Sequence, residues 1–526
     1  MAAADIQGIQ SQGEIGEAKH FVNNEQEANR LAMNAIVDER TERELYLLPF
    51  EMSVKEGCVG AVMCAYPQVN GMYSCENGTI LNQILKGDWG FTGVVTSDFG
   101  AVHSTVPSVT NGLDLEMPSG VYLGTALSSA VSSGTVMQSV IDEHLMRRFA
   151  TTMALGLWDS PPKAQPIPMA MLTSDGMTAR QIAAAGIVLL KNDSALLPLS
   201  AASIHTIALI GPNTAKTGGG GSSAVVPLYT VTPRAGIQAH AGGATITTDP
   251  GTTLASAQAV AKAADVAIVM VGDARSEGSD LPITLSGNQD ALIAAVAMSS
   301  PKTIVVVKTG SVALMPWASQ VPAILEAWYP GEEDGNAVAD VLFGAVNPSG
   351  KLPLTFPAEL VDLPANTPSQ YPSTPTTGIA QAHYSEGLLM GYRSYDSRSV
   401  APLFPFGFGL SYTTFMYANL YVSPGSSDPV TVEFDVTNSG TRDGAEVAQV
   451  YVGMPMAAGE PPRQLKGFQK LTIPAGMTRH ASIALDARAF QIWNTTTHAW
   501  VTTPGAFSIL VGGSSRDIKL TGTVSK

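Results

Sequence analysis

Gly93-Val94-Val95-Thr96-Ser97-Asp98-Phe99-Gly100 sets a run of β-branched residues against a small polar residue, a carboxylate, an aromatic ring and a glycine. Such a run reads as a strand buried on both faces, the pattern of parallel sheets. The C-terminal ends of those strands are where barrels and doubly wound sheets carry reacting groups. Asp98 therefore stands where a buried strand opens into a pocket. Taken alone, an Asp in this position reads first as a cap of the following turn.

The neighbourhood changes that reading. Upstream lie Ala18-Lys19-His20-Phe21-Val22-Asn23-Asn24-Glu25 and Val62-Met63-Cys64-Ala65-Tyr66-Pro67-Gln68-Val69-Asn70-Gly71, and downstream Gly112-Leu113-Asp114-Leu115-Glu116-Met117-Pro118. Each is a short apolar strand that ends abruptly in polar, charged or aromatic residues. In these motifs and their order the chain resembles the family 3 glycoside hydrolases, in particular the fungal β-glucosidases. The resemblance implies a retaining exo-hydrolase acting on terminal β-linked glucose of a β-glucoside or oligosaccharide, without metal or organic cofactor. It implies Asp98 as the nucleophile, Lys19 and His20 as ligands of sugar hydroxyls, and Met63 and Tyr66 as further lining of the first subsite. Phe99 stands where the family commonly has Trp, so stacking on the aglycone is expected to differ. His103 is read as structural.

Composition sets bounds on this. At 526 residues, with 45% hydrophobic and 14% charged residues, the chain is globular and long enough for about three domains. A net charge of −15 argues against nucleic acid or an anionic membrane as partner. No apolar run approaches the roughly 20 residues that cross a bilayer, and the first residues lack the basic and apolar regions of a signal peptide. An extracellular location is what the family implies. Asn77-Gly-Thr, Asn192-Asp-Ser and Asn494-Thr-Thr are glycosylation sequons, relevant to a secreted chain. Of the cysteines, Cys64 and Cys75 flank a turn, and the resemblance implies that they pair. Three reduced thiols, Cys58 included, are the other reading.

Strands near 15–21, 59–65, 93–98 and 112–117 alternate with helices over residues 1–157, as half of a (β/α)8 barrel would. The family's barrel is complete or nearly so, so the chain is expected to begin inside the helix before the fifth strand. The early sugar ligands of the family, an Asp and an Arg, have no counterpart before Lys19, which implies impaired activity. A proline-rich linker is expected over 158–175. An α/β sandwich with connecting loops should fill 176–415, with strands at Ile207–Gly211, Val266–Gly272 and Thr303–Gly310. Period-two alternation in 430–437 and 445–452 marks 416–526 as a β-sandwich resembling a fibronectin-III-like domain.

Gly218-Gly-Gly-Gly221-Ser222-Ser223 lacks the Gly-Lys-Ser/Thr ending of a phosphate loop and reads as a flexible surface loop. Glu332, Glu333 and Asp334 read as the charged start of a helix rather than a metal site.

Retaining glycoside hydrolysis uses two carboxyl groups about 5–5.5 Å apart, one nucleophile and one acid/base. The loop Asp273-Ala-Arg-Ser-Glu-Gly-Ser-Asp280 follows a buried strand of the second domain, and the family's acid/base Glu maps to Glu277 in it. Asp280 competes for that role and Asp273 less so. Lys19 and a hydrogen bond from Tyr66 are expected to keep Asp98 ionised. A β-xylosidase or broad β-glycosidase on the same scaffold is the alternative, as is a catalytically impaired fragment. The family branch acting on N-acetylglucosamine carries a His as acid/base in its barrel, and Glu277 speaks against it.

Overall fold

The computed structural model describes residues 1–163, 166, 168–373, 375 and 378–526, which form two compact units. The first comprises Met1–Pro166, Ala365–Leu388 and Trp493–Ala499; the second comprises Ile167–Pro364, Leu389–Ile492 and Trp500–Lys526.

The first unit is a partial (β/α) barrel. Strands β1 (Glu17–Phe21), β2 (Ala61–Cys64) and β3 (Val94–Ser97) form a parallel sheet in that order. Phe21, Val62, Cys64 and Val95 point into a core shared with Leu81, Leu85 and Trp89. The strand expected at 112–117 is reduced to one parallel bridge, Leu115 to Thr96. Asp114 explains the loss: its Oδ2 accepts the Val95 N–H at 2.7 Å, so a side chain occupies the place of a ladder carbonyl. Lys86 and His144 close around the same carboxylate, at 3.2 and 3.6 Å from Oδ1. Among the described residues β1 has no strand on its outer side. A 17-residue helix, Gln138–Ala154, covers the end of this stretch.

Two distant segments complete the unit. Ala380–His383, read from sequence as part of a connecting region, pairs in parallel with Met33–Ile36. Trp493 donates its indole N–H to Glu39 at 2.8 Å and lies 4.2 Å beneath the Arg43 guanidinium. Cys64 and Cys75 are joined by a disulfide, with Cα atoms 5.2 Å apart, and Cys58 is free and exposed. Asn77 is buried and its amide nitrogen, the atom that would carry a glycan, donates to Val69 O at 3.4 Å, so this sequon is closed to a glycan in the folded chain.

In the second unit, β4 (Val188–Asn192), β5 (Thr206–Ile210), β6 (Thr245–Asp249), β7 (Val266–Gly272), β8 (Thr303–Lys308) and β9 (Ala323–Glu326) form one sheet, ordered β4-β9-β8-β7-β5-β6. All pairs are parallel except β4 with β9. The strands are apolar without interruption because both faces are covered. Ile268 and Met270 enter one core layer, and Val269 and Val271 the other. From β5 the chain steps outward to β6 and then back across to β7. The C-terminal ends of β5 and β7 therefore flank a topological switch point.

The linker expected over 158–175 includes residues 164, 165 and 167, which lie outside the described set, and a helix already begins at Met169. The helix Asp334–Leu342 starts on Asp334, whose buried carboxylate takes the Lys308 ammonium at 2.7 Å and the Lys216 N–H at 2.7 Å.

The remainder of this unit is a β-sandwich. One sheet holds β10 (Phe415–Val422), β11 (Val430–Asn438) and β14 (Thr478–Leu485). The other holds β12 (Gly444–Gly453), β13 (Gln464–Ile473), β15 (Ala506–Ser514) and β16 (Asp517–Ser525). Alternate residues of β11, Val432, Phe434 and Val436, meet Val450, Ile509 and Val511 in the core. No helix among the described residues is long and apolar enough to cross a membrane.

Candidate active site

Asp98 follows the last residue of β3, where a parallel strand ends and its side chain is no longer claimed by the sheet. Its own N–H donates to Cys64 O at 3.1 Å, which carries the β2–β3 pairing one residue further. Its two carboxylate oxygens differ. Oδ1 accepts the Phe99 N–H at 2.7 Å. Oδ2 is buried, accepts no hydrogen bond, and lies 3.4 Å from His20 Nε2. At that distance the imidazole is a charged or polar neighbour of Oδ2 rather than a well-formed donor to it. One oxygen thus fixes the orientation of the carboxylate and leaves the lone pairs of the other for a reacting atom.

The β1–β2 register explains why His20 faces this carboxylate. Ala18 pairs with Val62 and Phe21 with Cys64, so two residues of β1 stand against one of β2, Met63. A slip of this kind re-aims the side chains within it, and Lys19 and His20 are those residues. Lys19, expected beside Asp98, is exposed and makes no ion pair among the described residues. His20 is half-buried and lies beside Asp98. Before the slip, Glu17 keeps the face of Thr96 and accepts its hydroxyl at 2.6 Å.

Tyr66 is buried, and its hydroxyl donates to the main-chain carbonyl of Phe99 at 3.1 Å. The expected donation to Asp98 is corrected accordingly, because a phenol has one proton to give. Tyr66 instead ties the residue after Asp98 to the β2 loop. The Arg30 guanidinium stacks 4.8 Å over the Tyr66 ring and pairs with Glu27 at 3.0 Å. Nothing in the sequence singles out Arg30, since an Arg among Asn and Glu residues reads as surface. Met63 is half-buried opposite Thr96, and Phe99 is 58% exposed. His103 stacks on Tyr73 with centroids 3.6 Å apart, and its burial lowers its proton affinity. A cavity of about 410 Å³ in the same unit, lined by Glu42, Arg43, Asn77 and His498 among others, contains none of these residues.

In the second unit Glu277 lies on the loop after β7, at the switch point. That loop is braced internally. Asp273 pairs with Arg275 at 2.8 Å and accepts from Tyr329 Oη and the Gly310 N–H. The Arg275 guanidinium reaches the carbonyls of Leu281 and Pro282 at 3.4 and 3.3 Å. Asp273 is consumed by this bracing, which removes it as a reacting carboxylate; Asp280 is half-buried on the same loop.

The glycine tract after β5, expected to be a flexible surface loop, packs on this loop. Gly220 N–H donates to Arg275 O at 2.9 Å, and Glu277 N–H returns to Gly220 O at 3.4 Å. These bonds make a parallel bridge between Gly220 and Ser276. Ser222 N–H donates to Glu277 Oε2 at 2.9 Å.

Comparisons with known proteins agree with this architecture. The chain matches the Glycosyl hydrolase family 3 N terminal domain over residues 1–150, the Glycosyl hydrolase family 3 C-terminal domain over 187–412 and the Fibronectin type III-like domain over 446–515. It is 38% identical to thermostable beta-glucosidase B of Acetivibrio thermocellus, covering 99% of this chain and 70% of that protein. It is 37% identical to exo-alpha-(1->6)-L-arabinopyranosidase of Bifidobacterium breve, covering 99% and 70%. Among solved structures, beta-D-glucoside glucohydrolase from Trichoderma reesei superposes with a TM-score of 0.93 at 34% identity, over 100% of this chain and 80% of that one.

Proposed function

The chain belongs to glycosyl hydrolase family 3, and from that premise we propose that it removes terminal β-D-glucosyl residues with retention, Asp98 attacking and Glu277 serving as acid/base. The observation that carries the proposal is the asymmetry of Asp98. A nucleophilic carboxylate needs a fixed plane and one oxygen whose lone pairs are not spent on hydrogen bonds, and the Phe99 amide and Oδ2, which accepts none, supply both.

The chemistry runs in two displacements. Glu277, protonated, gives its proton to the glycosidic oxygen as Asp98 Oδ2 bonds to the anomeric carbon and the aglycone leaves. Glu277, now ionised, takes a proton from water, whose oxygen displaces Asp98 and restores the carboxylate. In this reading His20 holds a sugar hydroxyl beside Asp98, and Met63, Tyr66 and Phe99 line the same subsite. Lys19 joins them by the family motif, its ammonium reaching a hydroxyl in the bound complex. No step calls for a metal or an organic cofactor.

Names of relatives support the glucoside. The arabinopyranosidase relative, similar to almost the same degree, supports a second reading in which the enzyme is a broader pyranosidase, xylosides included. The disulfide fits an oxidising, extracellular location, and with it a role in degrading extracellular β-glucans such as cellulose.

The test is covalent trapping. A 2-deoxy-2-fluoro β-glucoside with an activated leaving group should inactivate the enzyme and leave the label on Asp98 in the peptide map. NMR of the first product should show the β-anomer. A label on another carboxylate, or an α-anomer, refutes the assignment. The ratio of kcat/KM for aryl β-glucoside, β-xyloside and α-L-arabinopyranoside decides between the two readings.

A further inference from the structure

Glu277 sits on a loop, and loops hold catalytic groups well only when something rigid braces them. The brace here is the glycine tract. Added to Gly221, a Cβ would stand 2.6 Å from Glu277 Cβ and 3.2 Å from its Oε2; added to Gly220, it would stand 2.5 Å from Ser276 Oγ. At Gly219 a Cβ would meet the Ser223 hydroxyl in the same way. At Gly220 and Gly221 a side chain would drive into Cβ atoms of the acid/base loop, those of Ser276 and Glu277, whereas at Gly219 it would have to displace only a rotatable hydroxyl. Gly221 also has φ +66°, a left-handed conformation that directs the next peptide N–H, that of Ser222, onto Glu277 Oε2.

From this packing we infer that Gly221 and Ser222 are positioning residues for Glu277: the bare Cα lets the two backbones close, and the Ser222 amide fixes which way the carboxyl turns. The inference rests on Glu277 being the acid/base. Oε2 of Glu277 is held by the Ser222 N–H, and that bond sets the plane in which the carboxyl group meets the glycosidic oxygen and, later, the attacking water. The tract's effect on the rate passes through that one carboxyl group.

Such a dependence gives a readout that a merely structural role would not move. Acid assistance matters for a poor leaving group and little for one that departs as a stable anion. Gly221→Ala should lower kcat/KM for cellobiose by about 10-fold or more, and change kcat/KM for 2,4-dinitrophenyl β-glucoside by less than about 3-fold. Gly221→Asn tolerates positive φ better but keeps the same Cβ, so it should show the same selective loss with less effect on folding. Gly287→Ala carries equal backbone strain, at φ +68° with open space around it, and should show no selectivity. In a Glu277→Gln background Gly221→Ala should add nothing, because the group it positions is already disabled.

Equal losses on both substrates, or additive losses in the double variant, overturn the inference while leaving the acid/base assignment standing. If Glu277→Gln itself shows no leaving-group selectivity, that assignment falls and the inference with it.

Discussion

His20 Nε2 lies 3.4 Å from Asp98 Oδ2, the one carboxylate oxygen of Asp98 that accepts no hydrogen bond. An imidazole there can neighbour the nucleophile and a sugar hydroxyl at once. His20→Ala is expected to lower kcat/KM for an aryl β-glucoside by about 10- to 100-fold, the worth of a charged hydrogen bond. The side chain is about a quarter exposed, so the thermal midpoint should hardly move. Unchanged kinetics in a folded variant would remove His20 from the site.

The two carboxylates are separable by the stereochemistry of a substitute nucleophile. Asp98→Ala should lose at least about 10³-fold in kcat. Azide can then attack the substrate directly, displacing the aglycone, and yields the α-glycosyl azide. In Glu277→Ala the glycosyl–Asp98 intermediate still forms from an activated substrate, and azide displacing Asp98 yields the β-glycosyl azide. The same anomer from both variants would contradict the division of roles between Asp98 and Glu277.

Burial raises the Glu42 carboxyl from 4.5 to about 8, with the Glu25 carboxyl adding to the effect and the Arg43 guanidinium opposing it. Burial does the same to Glu326, also to about 8. Both are therefore neutral acids in the folded chain at pH 6. Their contribution is fully present below pH 4.5 and is lost as pH rises through about 8, because the unfolded chain releases these protons more readily. Glu42→Gln, neutral at every pH, should gain thermal midpoint relative to the native protein by several degrees between pH 6 and pH 9. A constant difference across that range would contradict the buried neutral acid.

Without reduction, thiol titration in denaturant should count one free cysteine, Cys58, and three after reduction. Replacing Cys64 and Cys75 by Ser should lower stability by about 3 kcal/mol, the loop-closure value for a separation of 11 residues. Two free thiols at 64 and 75 in the unreduced protein would refute the bridge.

The strand ending at Asp98 is legible in the sequence because burial on both faces leaves an unmistakable apolar run, and the same holds for β5, β7 and β8. Glu277 is legible only through its motif, since a loop carboxylate has no periodicity to read. Lys19 and His20 stand out as a pair, but which of them faces Asp98 does not. That choice depends on a one-residue slip against β2, which is a property of two strands and not of either sequence. The glycine tract misleads for a similar reason. Its composition suits a mobile loop, and only the partner loop shows why side chains are excluded. The place of 380–383 beside 33–36 is invisible because nothing local records a pairing across more than 340 residues.

That pairing has a consequence in time. The first unit is built from stretches ending at residues 166, 388 and 499. At a ribosomal rate of about 5–20 residues per second, Met33–Ile36 emerges roughly 20–70 s before the strand that completes its sheet. Trp493, which fills the space beneath Arg43, follows later still. The N-terminal unit is thus the first to be started, yet it stays incomplete until the chain has been made as far as residue 499. A nascent chain stalled after residue 166 should remain protease-sensitive, with its open strand edges in the care of whatever chaperone meets it.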